Sequence, residues 1–371
     1  MIAVVWIDWY SYHVARFRAL SAHRAMRGSV AGIELVGGCG VHAGMKFRDE
    51  RRDGLAISTL LPGADWSGSG RFHVARLLWK KLTEAQPKTV LVPGYYTIPG
   101  IAAAVWARLH RRRSILMTET TEFDHRRTRV KETLKRWLLR TLFDAAVCGG
   151  KPHARYLRAL GFPSENIAGC YDVVDNGFFA SAAQAVREQR NVAPHFLYVG
   201  RLASEKNVDG LIDAFGEYRR RGGTWPLVVA GDGPERECLV KRCERLGIAR
   251  FVDFKGFQRT RETADLYAGA GCFVLPSKRE PWGLVVNEAM AAGVPVVVSN
   301  RCGCAEDLVR NGENGFVFDP ANRIELADRL LQISALAPDE LRRMGARSSE
   351  IIQDYSLERW ADEVARIANP R

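Results

Sequence analysis

The sequence predicts an α/β protein built from two Rossmann-like domains. Three observations predict it: short β-rich apolar runs alternate with helical patterns as far as Leu160, the alternation lapses around residues 171–192, and it then resumes as far as Phe318. Strands separated by helices of this length imply βαβ units and parallel sheets. A chain of 371 residues also exceeds the size at which a single core stops growing.

Taken in order, strands are expected at 2–7, 33–36, 56–60, 89–92, 115–117 and 145–148, with helices at 14–27, 72–85, 101–111, 129–143 and 152–160. The opening residues, Met1 to Asp8, carry no basic segment before a short apolar run, so they read as a first strand rather than a signal peptide. The first domain is expected over 1–180, a linker over 181–194 and a second domain over 195–350. In the second, strands are expected at 196–199, 227–230, 252–254 and 272–275, helices at 208–220, 235–246 and 261–268, and further apolar runs at 305–309 and 316–318. In the tail, 351–371, Leu357, Trp360, Ala361, Val364 and Ile367 form one helical stripe that must pack on something.

Composition narrows the class. Apolar residues make up 47% of the chain, ordinary for a large core, yet no apolar run approaches the length of a membrane span. The 8 cysteines include no CxxC pair; Cys302 and Cys304 are the close pair, and a reducing, cytoplasmic setting is expected. The net charge of +12 is uneven: residues 1–190 hold 29 Lys/Arg against 16 Asp/Glu, and the rest is nearly balanced. The basic half implies an anionic partner. On 129–143, Val130, Leu134, Trp137, Leu138 and Leu142 share a face with Lys131, Lys135, Arg136 and Arg140 largely off it, and Arg111, Arg112, Arg113, Arg126 and Arg127 add charge. An anionic membrane surface suits this pattern, and core packing with a solvated basic face is the alternative. Nucleic acid is not expected, because no base-stacking or groove-reading motif accompanies the charge.

The chemistry concentrates in the second half. The stretch PSKREPWGLVVNEAMAAGVP, from Pro276 to Pro295, reads strand, loop, helix, strand, with Glu280 and Gly283 in the loop and Glu288 in the helix. Its helix start would present the unpaired amides of Gly283, Leu284 and Val285, an anion site, and Gly293 stands where the helix C-terminus wants positive φ. After the strand at 196–199, Gly200 lets backbone approach a ligand, and Arg201 and Lys206 put two cations in one loop, a fit for a diphosphate. Gly231-Asp232-Gly233-Pro234 opens like a dinucleotide fingerprint, but Arg236 occupies the third glycine position, so it reads as a tight turn. Neither a complete GxGxxG nor a P-loop occurs, which counts against a nicotinamide enzyme and a P-loop nucleotidase.

In this order YVGRLASEKN, AGDGP, KGF and EPWGLVVNEAMAAGVPVV resemble the retaining, GT-B-fold glycosyltransferases of the group 1 or family-4 type, over residues 196–319. The resemblance implies two Rossmann-like domains facing a cleft, an acceptor-binding first domain, a nucleotide-sugar donor-binding second domain, and a last helix crossing back to the first. It implies that Arg201 and Lys206 hold the donor diphosphate, that Glu288 accepts from the ribose hydroxyls, and that Glu280 lies beside the donor sugar. It further implies that the amides of Gly283, Leu284 and Val285 touch sugar and phosphate and that Phe257 and Gln258, after Gly256, meet the nucleobase. Gly200 and Gly231 join the donor set, and Glu280, Arg201 and Lys206 form the catalytic set. Helix amides and cations can stabilise a leaving diphosphate without a metal, and no strict DxD occurs, Glu122-Phe123-Asp124 being the nearest approach. No metal and no cofactor are expected.

The partners implied are a UDP- or GDP-sugar donor and a glycan or lipid-linked acceptor, with peripheral attachment to the inner face of the membrane. In the first half the glycine-rich loop of many relatives is replaced by Asp8-Trp9-Tyr10-Ser11-Tyr12-His13, and their histidine by Thr118-Glu119-Thr120, with His125 the nearest histidine. His13, Arg16, Glu119 and Thr120 are the candidates on the acceptor or sugar side, with capping or packing as the alternative for His13. The competing functions are a nucleotide-sugar epimerase or hydrolase of the same fold and a non-catalytic nucleotide-sugar-binding module.

Overall fold

β1 (Ile2–Trp6) is five buried residues in a row, the pattern of a parallel strand covered on both faces. The computed structural model describes residues 1–38, 52, 54–122, 128–189 and 193–369. After β1 come α1 (Ser11–Ala22), β2 (Val30–Val36), β3 (Ile57–Leu61), α2 (Arg71–Ala85), β4 (Thr89–Pro93), α3 (Ile98–Leu109), β5 (Arg113–Thr118), α4 (Arg129–Leu142), β6 (Ala145–Cys148), α5 (Lys151–Ala159) and the two-residue β7 (Ile167–Ala168). The seven strands form one sheet in the order β3-β2-β1-β4-β5-β6-β7, all parallel. Ile2 pairs with Val30 on one side and Thr89 on the other. The chain order therefore reverses between β1 and β4, the point at which such sheets open a crevice at their strand ends.

The second series runs α6 (Asn176–Gln189), β8 (His195–Val199), α7 (Val208–Arg220), β9 (Leu227–Ala230), α8 (Arg236–Arg245), β10 (Val252–Gly256), α9 (Thr260–Gly269), β11 (Ala270–Leu275), α10 (Leu284–Ala291), β12 (Val296–Ser299), α11 (Ala305–Leu308), β13 (Gly315–Phe318), α12 (Arg323–Ser334) and α13 (Pro338–Ile352). Its six strands are parallel in the order β10-β9-β8-β11-β12-β13, reversing between β8 and β11. The chain divides into two units, Met1–Val174 with Ser356–Arg371, and Asp175–Tyr355. Both sheets have the strand order of a Rossmann fold.

Three expectations change. The segment 181–194 was expected as a linker, but α6 occupies it as far as Gln189 and belongs to the second unit, burying Phe179, Ala182 and Ala183. The tail 351–371 is not one helix: α13 ends at Ile352, and α14 (Leu357–Ala368) begins after Ser356, whose hydroxyl caps it by accepting from the Arg359 amide. On α4 the expected single apolar face divides. Leu139 and Leu142 are buried and Leu138 packs beside the core, whereas Val130, Leu134 and Trp137 stay 80%, 63% and 64% exposed. Lys135 turns inward instead, its ammonium 2.8 Å from the Tyr156 hydroxyl, which itself donates to Glu132 at 2.7 Å.

The final stripe finds its partner within the first unit. Trp360, Ala361, Val364 and Ile367 are buried, and the Trp360 ring stacks at 6.5 Å on Trp6 of β1. The end of α14 is fastened by Arg113, which donates to the Ile367 carbonyl at 2.8 Å. Trp360→Ala should lower the stability of this unit by about 3–5 kcal/mol, the usual loss for emptying a buried tryptophan site. Urea titration monitored by circular dichroism measures it; a loss under about 1 kcal/mol would mean that the helix contributes little to the first core.

Candidate active site

At the carboxyl ends of β8 and β11, on either side of the strand-order reversal, two loops are tied together by main-chain and amide bonds. Asn207, buried and in the left-handed conformation with φ of 56°, donates from its side-chain amide to the Pro276 carbonyl at 3.0 Å and the Pro320 carbonyl at 3.2 Å. Asparagine tolerates that conformation better than most residues. The Lys278 amide donates to the Glu205 carbonyl at 2.8 Å, a second cross-loop bond. The β9 loop is held against the β8 loop by backbone contact. A Cβ on Gly231 would lie 1.8 Å from the Gly200 carbonyl oxygen, so no side chain fits there. The tight turn expected at Gly231 is thus a packing requirement of the loop that carries Arg201.

The charged groups meet here. Lys206 forms an ion pair with Glu280, and the Ser277 hydroxyl donates to the same carboxylate oxygen at 3.2 Å. The Glu280 backbone is pinned on both sides, its amide donating to the Arg301 carbonyl at 3.2 Å and its carbonyl accepting from the Gly303 amide at 3.0 Å. Arg201 is half exposed and pairs with Glu205, and the Tyr198 hydroxyl donates to the Arg201 carbonyl at 2.9 Å. The Glu205 carboxyl is held below its ordinary range by a hydrogen bond to its own backbone, with Arg201 and Lys206 adding to the effect. Tyr198 is pushed well up by burial and by the nearby Glu280 and Glu205 charges, which keeps it a neutral donor. Cys302 lies against Glu280 in an isolated bridge, and burial, with Cys304 and Glu280 beside it, raises its thiol well above the ordinary value.

Gly283 is the N-cap of α10 at φ 107°, a conformation that side chains rarely adopt, and the first-turn amides of Leu284 and Val285 follow it. Glu288, one turn further, is buried, and Tyr267 fixes it by donating to the carboxylate at 2.9 Å. Trp282 braces the same turn through its indole N–H to the Asn287 side chain at 2.9 Å. Phe257 and Gln258 lie on the loop after β10, two strands from β8 and hence about 10 Å along the sheet. The Gln258 side-chain amide is engaged with the Lys255 and Phe257 carbonyls, and the Phe257 ring is exposed. Gly200, Arg201, Lys206, Gly231, Glu280, Gly283, Leu284, Val285 and Glu288 therefore converge on neighbouring strand ends, with Phe257 and Gln258 at the flank. Asn207, Tyr198, Tyr267 and Ser277 were not singled out by sequence: Asn207 and Tyr267 act on positions remote along the chain, and Tyr198 and Ser277 carry no motif of their own.

In the first unit the four candidates take different parts. His13 uses its Nδ1 to accept from the Tyr10 amide at 3.3 Å, the capping alternative, and stacks on Trp6 at 4.7 Å. Burial first, then Arg16 and Arg52, hold its pKa well below the ordinary value, so the ring is neutral. Arg16 is buried rather than open to a phosphate. Its Nε donates to the Val173 carbonyl at 3.3 Å, its Nη2 lies 3.5 Å from Asp172, and its guanidinium covers the Tyr171 ring at 4.7 Å. Glu119 faces the same group: burial and then Glu119 push the Asp172 carboxyl well above its ordinary range against the pull of Arg16, and the two carboxyl groups are hydrogen-bonded. Thr120 is engaged with the Thr118 hydroxyl at 2.9 Å. His125, Phe123, Asp124, Arg126 and Arg127 lie outside the described residues, as does Cys39. Among the described residues no group of three or more His, Cys, Asp or Glu side chains is arranged to hold a metal.

Residues 182–350 match the model of the family described as glycosyl transferases group 1. This part of the chain belongs to that family. The matched range thus takes in nearly all of the second unit and every residue from Gly200 to Glu288 described above. Over 241 residues the chain is 29% identical to a glycogen synthase of Mycobacterium tuberculosis, covering 65% of this chain and 57% of that protein. It is 34% identical to an alpha-D-kanosaminyltransferase of Streptomyces kanamyceticus, covering 47% and 45%. A lipopolysaccharide core biosynthesis glycosyltransferase of Rhizobium meliloti is 31% identical over 59% of this chain and 62% of its own. The chain spans about half the length of the curated relatives it matches. Among solved structures, Anabaena HepE in complex with UDP and glucose superposes with a TM-score of 0.75 at 18% identity, covering 98% of both chains. WaaG, a glycosyltransferase involved in lipopolysaccharide biosynthesis, superposes at 0.69 and 16% identity over 100% of both. The group 1 domain and the first unit together have the GT-B fold of these structures.

Proposed function

We propose that this protein is a glycosyltransferase that moves a sugar from a UDP- or GDP-sugar to a hydroxyl acceptor with retention of anomeric configuration. The observation that carries the proposal is the Lys206–Glu280 pair beside the α10 amides, with Arg201 in the adjoining loop. The donor diphosphate lies against Arg201, Lys206 and the amides of Leu284 and Val285, which carry the charge released as the bond between the anomeric carbon and the β-phosphate oxygen breaks. The acceptor oxygen forms the new bond on the same face, and its proton passes to the leaving phosphate oxygen. Glu280, clamped by Lys206 and Ser277, holds sugar hydroxyls and does not attack. Glu288, oriented by Tyr267, takes the ribose, and the base lies along the loop of Phe257 and Gln258. These cations and amides perform the charge stabilisation that a metal supplies elsewhere, so turnover should persist in excess chelator.

The first unit takes the acceptor, which we assign to a glycan or lipid-linked precursor in polysaccharide or glycolipid biosynthesis. Two relatives support this by their printed substrates: the lipopolysaccharide core enzyme, and a GDP-mannose-dependent phosphatidylinositol monomannoside mannosyltransferase of Mycobacterium tuberculosis, 32% identical over 47% of this chain and 46% of its own. The stripe of Val130, Leu134 and Trp137 on α4, flanked by the exposed Arg129, Arg136 and Arg140, suits the interface of an anionic membrane at the cytoplasmic face. No helix among the described residues is long and apolar enough to cross a membrane.

Glu280→Gln should lower turnover by about 100-fold or more, the scale for losing one preorganised transition-state contact, in an assay of nucleoside diphosphate release with and without acceptor. Unchanged turnover would refute the role of Glu280, and full release without acceptor would favour an epimerase or hydrolase. Leu134→Ser with Trp137→Ser should reduce pelleting with anionic liposomes several-fold, and equal pelleting would remove the membrane assignment.

A further inference from the structure

At the amino-terminal end of β5, the opposite edge of the sheet from the strand-end loops, the first unit holds a shallow cavity of about 430 Å³ lined by Arg108, Arg111, Arg112, Arg113 and Asp144. The three successive arginines terminate α3 in a Schellman turn. The Arg112 amide donates to the Ala107 carbonyl at 2.7 Å, the Arg111 amide to the Arg108 carbonyl at 3.2 Å, and Arg111 sits in the left-handed region at φ 54°. Glycine is the usual occupant of that position because any side chain is strained there. Here the position instead carries a guanidinium.

The surroundings do not consume the charge. Asp144 is the one carboxylate in the lining; it lies 3.5 Å from Arg108 and also accepts from the Ser114 amide at 2.8 Å. Arg112 uses one terminal nitrogen on the Gln86 side chain at 3.2 Å, while its Nε is buried and has no hydrogen-bond partner among the described residues. Arg113 donates to the Ile367 carbonyl at the end of α14. Among the described residues the Arg111 guanidinium has no hydrogen-bond or ionic partner. Attraction to the carbonyl ends of α3 and α14 accounts for a cation or two, but not for one placed at glycine's position.

We propose that this cavity is a second anion site, separate from the candidate active site, that takes a phosphomonoester or pyrophosphate group through paired guanidiniums. Arginine forks match phosphate oxygens bidentately, and four of them around one carboxylate leave a positive excess. The phosphate can belong to a lipid headgroup or to a soluble molecule. Arg111→Gly is the discriminating variant, because it removes the guanidinium while relieving the backbone, so the protein should melt no lower than its parent. The measurement is made on the full chain in an Arg201→Ala/Lys206→Ala background, which keeps the probe off the second unit. Inorganic pyrophosphate is titrated by calorimetry, and phosphatidylcholine vesicles with and without phosphatidic acid are pelleted in parallel. Arg111→Gly should weaken pyrophosphate binding at least tenfold. If pelleting with phosphatidic acid also falls, a lipid headgroup is the source; if pelleting is unchanged, a soluble phosphate is. If neither pyrophosphate affinity nor phosphatidic acid pelleting responds, the proposal is overturned.

Discussion

The Lys206 ammonium and the Glu280 carboxylate meet where the strand order of the second sheet reverses, and the surrounding loops are arranged to keep them there. The two residues are 74 positions apart, so their pairing requires β8 and β11 to be neighbours in register. The Asn207 amide and the Lys278–Glu205 main-chain bond then close the loops onto each other. Both charges are largely withdrawn from water, and such pairs seldom repay their desolvation in stability alone. Under the proposed function the pair has a further use, each member exchanging its partner for a phosphate oxygen or a sugar hydroxyl of the donor.

The same loops explain why β11 and β12 had to be apolar along their paired residues. Val274 and Leu275 are buried, and so are Val296 to Val298 opposite them, which fixes the register that delivers Glu280 to the mouth of the sheet. Continuous apolar runs were the legible signal, and most strands lie within a residue or two of where those runs place them. β7 escaped notice because it is two residues long. α6 escaped because its buried side is made of Phe179 and small alanines, too narrow a stripe for periodicity to reveal, with Gly177 in its first turn.

The site was legible where function is written in short range. Gly200, Arg201 and Lys206 follow one strand, and Glu280, Gly283 and Glu288 fall within one loop and helix, so spacing alone brought each set together. The first unit is different. Arg16 reads as an open cation in the sequence because its partner, Asp172, is 156 positions away, whereas for His13 the capping alternative is the one met, by the Tyr10 amide three residues before it. The α4 helix offered two apolar faces within one wide arc, and the core took the one bearing Leu139 and Leu142. Lys135 turns in beside that face to meet Tyr156, a contact 21 positions away that helical periodicity cannot anticipate.

On the proposed function, the loops after β8 and β11 hold a nucleoside diphosphate through Arg201 and Lys206. Calorimetric titration of UDP and of GDP into the wild-type protein and into Arg201→Ala/Lys206→Ala tests it most directly. Two charge-assisted contacts at about 1.5–3 kcal/mol each correspond to a loss of about 100-fold or more for whichever nucleotide binds. Equal affinity in the two proteins would contradict the account.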